Sequence, residues 1–266
     1  MPRTTKPQKP RAAALPLLEN GPERANGAPT VTEAVYARIR SDILLGVLKP
    51  GAKLKLDSMR DSYEASVNTL RETLSRLVSE GLVSNEGQRG FQVVPASLSD
   101  LRDITEMRRL LEVHAASQAL HRAGLDWESR LVGAYHKLSR IEGVVDDDPR
   151  QYGPQLEAFN REFHTVLVSG CGSRWLAIFH GIMYDQSLRY RMLAFQVRNF
   201  PRDQSRREHK AILEAALARD AEALERVLTT HITKGVELYG DELLRAEEPT
   251  ERRGPRVIQN ARHEKP

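Results

Sequence analysis

Ser-Val-Asn-Thr-Leu-Arg-Glu-Thr-Leu-Ser-Arg-Leu, residues 66–77, is the stretch of sequence that decides the fold. Its apolar side chains recur at the spacing of one helix face and are expected to pack on a core: Leu70, Leu74 and Leu77. Ser66 and Thr69 are equal candidates for the N-cap, since Thr69 has capping-box spacing to Glu72. Asn68 and Arg71 at this end are polar as well, which is typical of a helix that enters the major groove of DNA.

The surrounding sequence completes a small domain. Its predicted elements are helices over residues 31–47, 56–63 and 66–82, with strand-like runs at 82–84 and 91–94. Lys49-Pro50-Gly51 breaks the chain after the first helix, and residues 85–90 form a glycine-rich hairpin tip. Three helices and a hairpin predict a winged helix-turn-helix over residues 30–96.

The rest of the ordered chain, residues 97–245, shows only helical periodicity. The predicted helices cover residues 98–122, 126–143, 152–171, 173–197, 204–218 and 221–245. The fold class is therefore expected to be mainly α, with the winged domain followed by an all-α antiparallel bundle. Residues 1–29, a basic arm, and the tail at 246–266 are expected to be disordered, because they are polar and lack an apolar period. The arm is either inert or touches DNA.

Charge and composition restrict the class of protein. The net charge is +4, but residues 30–96 carry nine Lys/Arg against eight Asp/Glu, so charge alone argues weakly for DNA binding. The apolar runs are too short to cross a membrane, and no signal-peptide core precedes the first domain. The single cysteine, Cys171, excludes an internal disulfide. A cytoplasmic protein with no membrane partner is expected.

The candidate DNA-binding residues lie at the start of the third helix and in the wing: Ser66, Val67, Asn68, Thr69, Arg71 and Arg89. Arg71 has the geometry to pair with guanine, and Asn68 with adenine. The hydroxyls and helix-start N–H groups suit phosphates. Arg89, between two glycines, suits the minor groove or the backbone. The alternative for Arg71 is an ordinary solvated arginine.

Three histidines on three different helices fall on apolar stripes, with an oxygen ligand one turn before the first: Asn160, His164, His209 and His231. Three inward imidazoles and an oxygen are able to hold a divalent transition metal such as zinc. The alternative is a set of core histidines with satisfied hydrogen bonds.

Three further polar residues interrupt apolar stripes and are the candidate effector-binding set: Arg108, Gln186 and Arg189. A buried arginine requires an anion, and a carboxylate effector would supply it. The alternative is an internal salt bridge from Arg108 to Glu112. The stripe that leads to Arg189 begins at Trp175, Phe179 and Ile182, which are therefore expected to face the core.

The winged domain resembles that of the GntR superfamily in four stretches that occur in order: residues 36–46, 48–51, 66–77 and 87–91. The family helix usually reads Ser-Arg-Thr-Pro-Val-Arg-Glu-Ala-Leu. This sequence keeps Ser66 and Arg71 but departs at Val67, where the family commonly has a DNA-contacting Arg, and at Thr69, where Pro is usual.

Residues 98–244 are similar to the ligand-binding (FCD) domain of the FadR-like branch, through Arg108, Glu112, Phe163-His164, 208–212 and 230–232. The resemblance implies a metal held by Asn160, His164, His209 and His231. Asn160 departs from the usual Asp, and a neutral amide oxygen is a poorer ligand, so metal binding is expected to be weaker.

These observations predict a transcription regulator rather than an enzyme. It is expected to repress as a homodimer on a palindromic operator and to be released by a small organic acid such as a dicarboxylate. Two alternatives remain open. One is a metal-dependent hydrolase that uses the three histidines, and the other is an architectural DNA binder without an effector.

Overall fold

The computed structural model describes residues 30–87, 90–195 and 202–247. In this part of the chain nine helices and three short strands follow one another: α1 Val31–Leu44, β1 Lys53–Leu54, α2 Leu56–Tyr63, α3 Val67–Ser79, β2 Val83–Asn85, β3 Phe91–Val93, α4 Leu98–Arg122, α5 Leu125–Glu142, α6 Pro149–Ser169, α7 Arg174–Phe195, α8 Arg202–Leu217 and α9 Ala221–Glu247. The fold class predicted from the sequence, a winged helix-turn-helix followed by an all-α bundle, is confirmed.

The winged domain is built on the leucine face of α3. Leu70, Leu74 and Leu77 are fully buried and pack with apolar residues of α1, α2 and the sheet. Ser66, not Thr69, is the N-cap, because its Oγ accepts a hydrogen bond from the Thr69 backbone N–H at 3.1 Å. The helix therefore begins with its polar tip at the surface.

The sheet has the strand order β1-β3-β2, and both pairings are antiparallel. The two-residue strand β1 was not predicted, because a run this short carries no alternation to detect. The predicted end of the first helix at residue 47 is wrong. Helix α1 ends at Leu44, since Gly46 takes a positive φ of 73° that terminates the helix.

The bundle packs around α4, which contacts α6, α7 and α9. Its six helices begin and end within a few residues of the predicted positions, and α9 continues to Glu247 rather than stopping at 245. Trp127, in the main core of the bundle, donates a hydrogen bond from Nε1 to the Val166 carbonyl at 2.8 Å. None of the described helices is both long enough and apolar enough to cross a membrane.

Helix α7 belongs to both halves of the molecule. Its apolar residues Leu188 and Met192 are buried in the core of the winged domain. In the N-terminal half of the same helix, the prediction that Trp175, Phe179 and Ile182 face the core is wrong. These side chains are 63%, 49% and 38% exposed. The period of this stripe was right, but the structure leaves it uncovered. The predicted basic arm at 1–29 and nearly all of the predicted tail lie outside the described residues.

Candidate nucleic-acid interface and metal centre

The N-terminal end of α3 presents the predicted DNA-reading side chains to solvent. Ser66, Asn68 and Arg71 are exposed, while Val67 and Thr69 are half-buried beside them. The Ser66 and Thr69 hydroxyls lie 2.9 Å apart, which fixes the first turn. This end can therefore place an amide and a guanidinium against base edges. Arg89, the predicted wing contact, lies outside the described residues.

The three predicted histidines come together inside the bundle. His164 is on α6, His209 on α8 and His231 on α9, and one ring nitrogen from each lies within 4.8 Å of the others. His164 and His209 are buried, and His231 is half-buried. The rings of His209 and His231 are 4.6 Å apart between centroids. Three separate helices of the bundle thus position their imidazoles in one cluster.

Each histidine is held by a glutamate through its Nδ1 atom. Glu112 contacts His164, Glu142 contacts His209 at 2.7 Å, and Glu208 contacts His231 at 2.9 Å. These carboxylates fix the ring orientation and leave Nε2 as the atom available for a metal. Nε2 of His164 and of His209 is buried without a hydrogen-bond partner, as a metal ligand would be in the absence of its ion.

His164 and His231 are held in the neutral form that metal binding needs. Burial lowers the pKa of His164 well below its usual range, against the opposing effect of Glu112. Burial also lowers the pKa of His231 to about 4, although its hydrogen bond with Glu208 opposes the shift. Neutral imidazoles keep the lone pair that coordinates a metal.

Glu112 is the most buried carboxylate of the cluster. Burial alone would raise its pKa, but Arg108, His164 and His180 around it outweigh burial and hold the pKa well below the usual range. It therefore stays ionised while accepting hydrogen bonds from several directions. Sequence reasoning missed the partner roles of Glu112, Glu142 and Glu208, because each glutamate sits on a different helix from the histidine it orients.

Asn160 lies where the sequence placed it. It is one turn before His164, 8% exposed, and lines the same cavity as His209 and His231. Its Oδ1 atom is buried and has no hydrogen-bond partner. The donor set at this place, three clustered imidazoles and one amide oxygen beside them, fits a divalent transition metal such as zinc.

The cavity also contains cationic side chains. Arg108 makes the internal salt bridge that was the alternative interpretation, with Nε 2.9 Å from Glu112 Oε2. Its Nη2 atom, however, is buried without a partner. Arg191 lines the cavity too, held by Glu157 and Ser187, as does Lys234, which lies near Glu208. Sequence reasoning did not single out Arg191 or Lys234.

Two predicted effector residues lie elsewhere. Gln186 donates a hydrogen bond to the Glu80 carbonyl at 2.7 Å, and Arg189 donates to the Val94 carbonyl at 2.9 Å. Neither lines the cavity. The reason is the phase of α7, which turns Ser187 and Arg191 to the cavity and turns Gln186 and Arg189 to the winged domain. Of the three candidate effector residues, only Arg108 therefore lines this cavity, and a role of Gln186 and Arg189 in effector binding stays a prediction.

The two halves of the chain match two family models. Residues 31–93 match the bacterial regulatory proteins of the gntR family, and residues 103–234 match the FCD domain. The chain belongs to the GntR family. The recognition made from the sequence, a GntR-superfamily regulator of the FadR-like branch with an FCD domain, is confirmed.

Curated GntR-type relatives cover most of the chain. BphR of Paraburkholderia xenovorans (strain LB400), an uncharacterized HTH-type transcriptional regulator, is 40% identical over 78% of this chain and 84% of its own length. GlaR of Escherichia coli (strain K12), an HTH-type transcriptional repressor, is 30% identical over 74% of this chain and 90% of its own. This GntR protein is a DNA-binding transcription regulator, and no relative named here supports the hydrolase alternative.

The solved structure of E. coli McbR/YncC has the same fold. It superposes with a TM-score of 0.67 at 20% sequence identity, over 81% of this chain and 99% of that structure.

Proposed function

We propose that this regulator is a repressor that leaves its operator when a small carboxylate binds in the cavity of the FCD domain. The observations that carry the proposal are the converging imidazoles beside the cavity and the buried, unpartnered Arg108 Nη2. A metal ion would use the Nε2 lone pairs, and an anion that reaches Nη2 would satisfy this buried donor. The repressor named among the relatives, GlaR, supports the direction of control.

A metal ion would be held by His164, His209, His231 and Asn160. When bound, it supplies a Lewis-acid centre that binds a carboxylate oxygen. The chain's own contribution is orientation, since Glu142 and Glu208 hold His209 and His231 with Nε2 available to the ion. Asn160 adds no charge to the site, so an anionic effector is the natural counter-charge.

The effector that we propose is an acid with two carboxyl groups. Three cations line the cavity from different helices, Arg108 on α4, Arg191 on α7 and Lys234 on α9, and each is paired with a glutamate. Apolar side chains that also line the cavity suit a short hydrocarbon chain: Leu101, Val145, Leu156 and Ile232. A small dicarboxylate matches this combination of cations and apolar wall.

On DNA, α3 reads bases with Asn68 and Arg71, while Ser66 and Thr69 contact phosphates. Val67 adds an apolar contact of the kind that recognises a thymine methyl group. Arg89 in the wing contacts the minor groove or the backbone. These roles are supported by the exposure of the α3 tip.

The repressor acts as a homodimer on a palindromic operator, since one winged domain reads one half-site. Helices α4 and α7 pack together, and both expose large apolar side chains that a second copy would cover: Met107, Leu110, Trp175, Phe179 and Ile182. Trp175 and Phe179 are stacked, with ring centroids 6.0 Å apart, and both are exposed.

The test is binding of the full-length protein to DNA fragments from the region around its own gene. We expect one fragment to be retained at moderate salt and released by a small dicarboxylate in the presence of zinc. Retention of no fragment would contradict the DNA-binding role, and retention that no carboxylate relieves would contradict the effector role.

A further inference from the structure

Helix α7 carries the cavity and the winged domain on adjacent residues. Ser187 and Arg191 line the cavity, whereas Leu188 and Met192 are buried in the winged-domain core. A rigid helix cannot move one of these faces without moving the other. The position of α7 is therefore common to the effector site and the DNA-binding unit.

One buried carboxylate on α7, Asp185, binds both halves of the molecule. It is 3% exposed and contacts Arg40 of α1, in the winged domain, through Oδ2. It also contacts Arg161 of α6, in the bundle, through both oxygens. Arg40 and Arg161 are 5% and 6% exposed, so water does not replace Asp185 as their counter-charge. Arg40 has a second carboxylate, Glu80, at 3.0 Å within the winged domain.

The residues next to this cluster in sequence connect it to the cavity. Asn160, a candidate metal ligand that lines the cavity, precedes Arg161 directly. Tyr184 precedes Asp185, and its ring contacts guanidinium groups of both regions. The distances from the ring centroid to Cζ are 4.6 Å for Arg108 and 4.5 Å for Arg191, both in the cavity, and 5.5 Å for Arg161.

We propose that Asp185 is a positioning residue that couples the occupancy of the cavity to the orientation of the DNA-binding domain. This proposal rests on the proposed function. An anion that binds Arg108 and Arg191 shifts two guanidinium groups that pack against Tyr184. Because Tyr184 and Arg191 are both on α7, this helix shifts with them. Asp185 moves with α7, and Arg40 follows because separation would leave a buried guanidinium with only Glu80. The winged domain is thereby repositioned.

The test measures operator affinity of the full-length protein by fluorescence anisotropy, once without ligand and once with glutarate and zinc added together. In the wild type we expect at least a tenfold loss of affinity, which lies within the usual range of allosteric coupling. In Asp185→Asn we expect similar affinity without ligand and a loss of less than about twofold with it, since coupling alone is removed. The matched control is Asp103→Asn, an exposed carboxylate on α4, which should respond like the wild type.

Arg40→Met is the second variant, because it removes the winged-domain partner and leaves the Asp185–Arg161 pair intact. It should lose the response in the same way if Asp185→Asn folds poorly. A normal response in Arg40→Met or in folded Asp185→Asn overturns the proposal.

A ligand-independent arm separates this proposal from the proposed function. Arg191→Met disturbs the cavity directly, and we expect it to change operator affinity by about threefold or more in the wild-type background. In the Asp185→Asn background the same change should have no effect. Equal effects in both backgrounds, or none in either, overturn the coupling role. A wild type that ignores glutarate while Arg191→Met shows the expected pattern contradicts the effector and supports Asp185.

Discussion

Nδ1 of His209 lies 2.7 Å from Oε1 of Glu142, and both side chains are buried. The same relationship recurs between His231 and Glu208 at 2.9 Å. A buried carboxylate behind an imidazole fixes its tautomer and makes the other nitrogen a better metal ligand. The cluster is therefore organised to bind a ligand through Nε2. Histidines that only fill a core would not require this orientation.

Glu142→Gln should weaken zinc binding by about 10- to 100-fold, the usual effect of removing such a carboxylate. The three histidines remain, so the loss would come from orientation and basicity alone. Isothermal titration of the chelator-treated protein with zinc measures it. Glu162→Gln, a glutamate of α6 paired with Lys137 near the surface, is the matched control. Unchanged affinity in Glu142→Gln would mean that the cluster does not hold the metal.

Asn160→Asp should increase zinc affinity, because a carboxylate is a better ligand than an amide and adds a negative charge beside the ion. The increase should be largest without a dicarboxylate, since the effector otherwise supplies the missing charge. The same titration measures both conditions. Weaker zinc binding in Asn160→Asp would place the ion away from this residue.

Arg71→Ala should weaken operator binding by about 1–3 kcal/mol and relax the base preference at one position of each half-site. Its guanidinium is exposed at the tip of α3, so the fold should tolerate the change. Anisotropy with a set of single-base operator variants measures affinity and preference together. Arg130→Ala, an exposed arginine of α5, should bind like the wild type. Loss of affinity with an intact base preference would show that Arg71 contacts only phosphate.

Replacing Trp175 and Phe179 by Ser should shift the protein towards monomer, because these rings are the largest exposed apolar pair of α7. Sedimentation velocity gives the oligomeric state, and operator affinity should fall with the loss of the second half-site. Leu125→Ser and Val132→Ser, at other exposed apolar positions, are the controls. A dimer that persists in the Trp175/Phe179 variant would move the interface elsewhere.

The metal-free protein should lose stability as the pH falls from about 6.5 to about 4. In the unfolded chain His231 takes up a proton near pH 6.5, whereas burial keeps it neutral in the folded protein until about pH 4. The unfolded state therefore binds more protons in this window, and the free energy of unfolding falls by up to about 3 kcal/mol. Urea midpoints with a chelator at pH 7 and pH 5 measure the effect, and His231→Gln should reduce it. An equal fall of the urea midpoint between pH 7 and pH 5 in the wild type and in His231→Gln would contradict the neutral, buried state of His231.

The sequence predicts what depends on local pattern. The leucine spacing of α3 identifies the buried face, and the stripes around His164 and His209 place both imidazoles inside. Prediction from the sequence fails where burial of a helix face depends on another element that must cover it. The stripe of Trp175 and Phe179 has the period of a buried face, but no described element covers it.

In the candidate site too, local pattern predicts which residues are buried but not which neighbours they contact. Gln186 and Arg189 interrupt an apolar stripe, as effector residues would, yet the phase of α7 turns them to the winged domain. The glutamates behind the histidines escaped prediction because packing between helices, not spacing along one helix, brings each pair together.

Release of the operator by an acid bound in the cavity is measured by titrating the operator complex with glutarate in the presence of zinc, for the wild type and for Arg108→Met. For the wild type we expect the anisotropy of labelled operator to fall to the free value. We expect Arg108→Met, which loses the unpartnered Nη2 donor of the cavity, still to bind operator but to require at least about tenfold more acid, as expected for a lost charge-assisted hydrogen bond. Release of both proteins at the same acid concentration, or of neither, would contradict this role of the cavity.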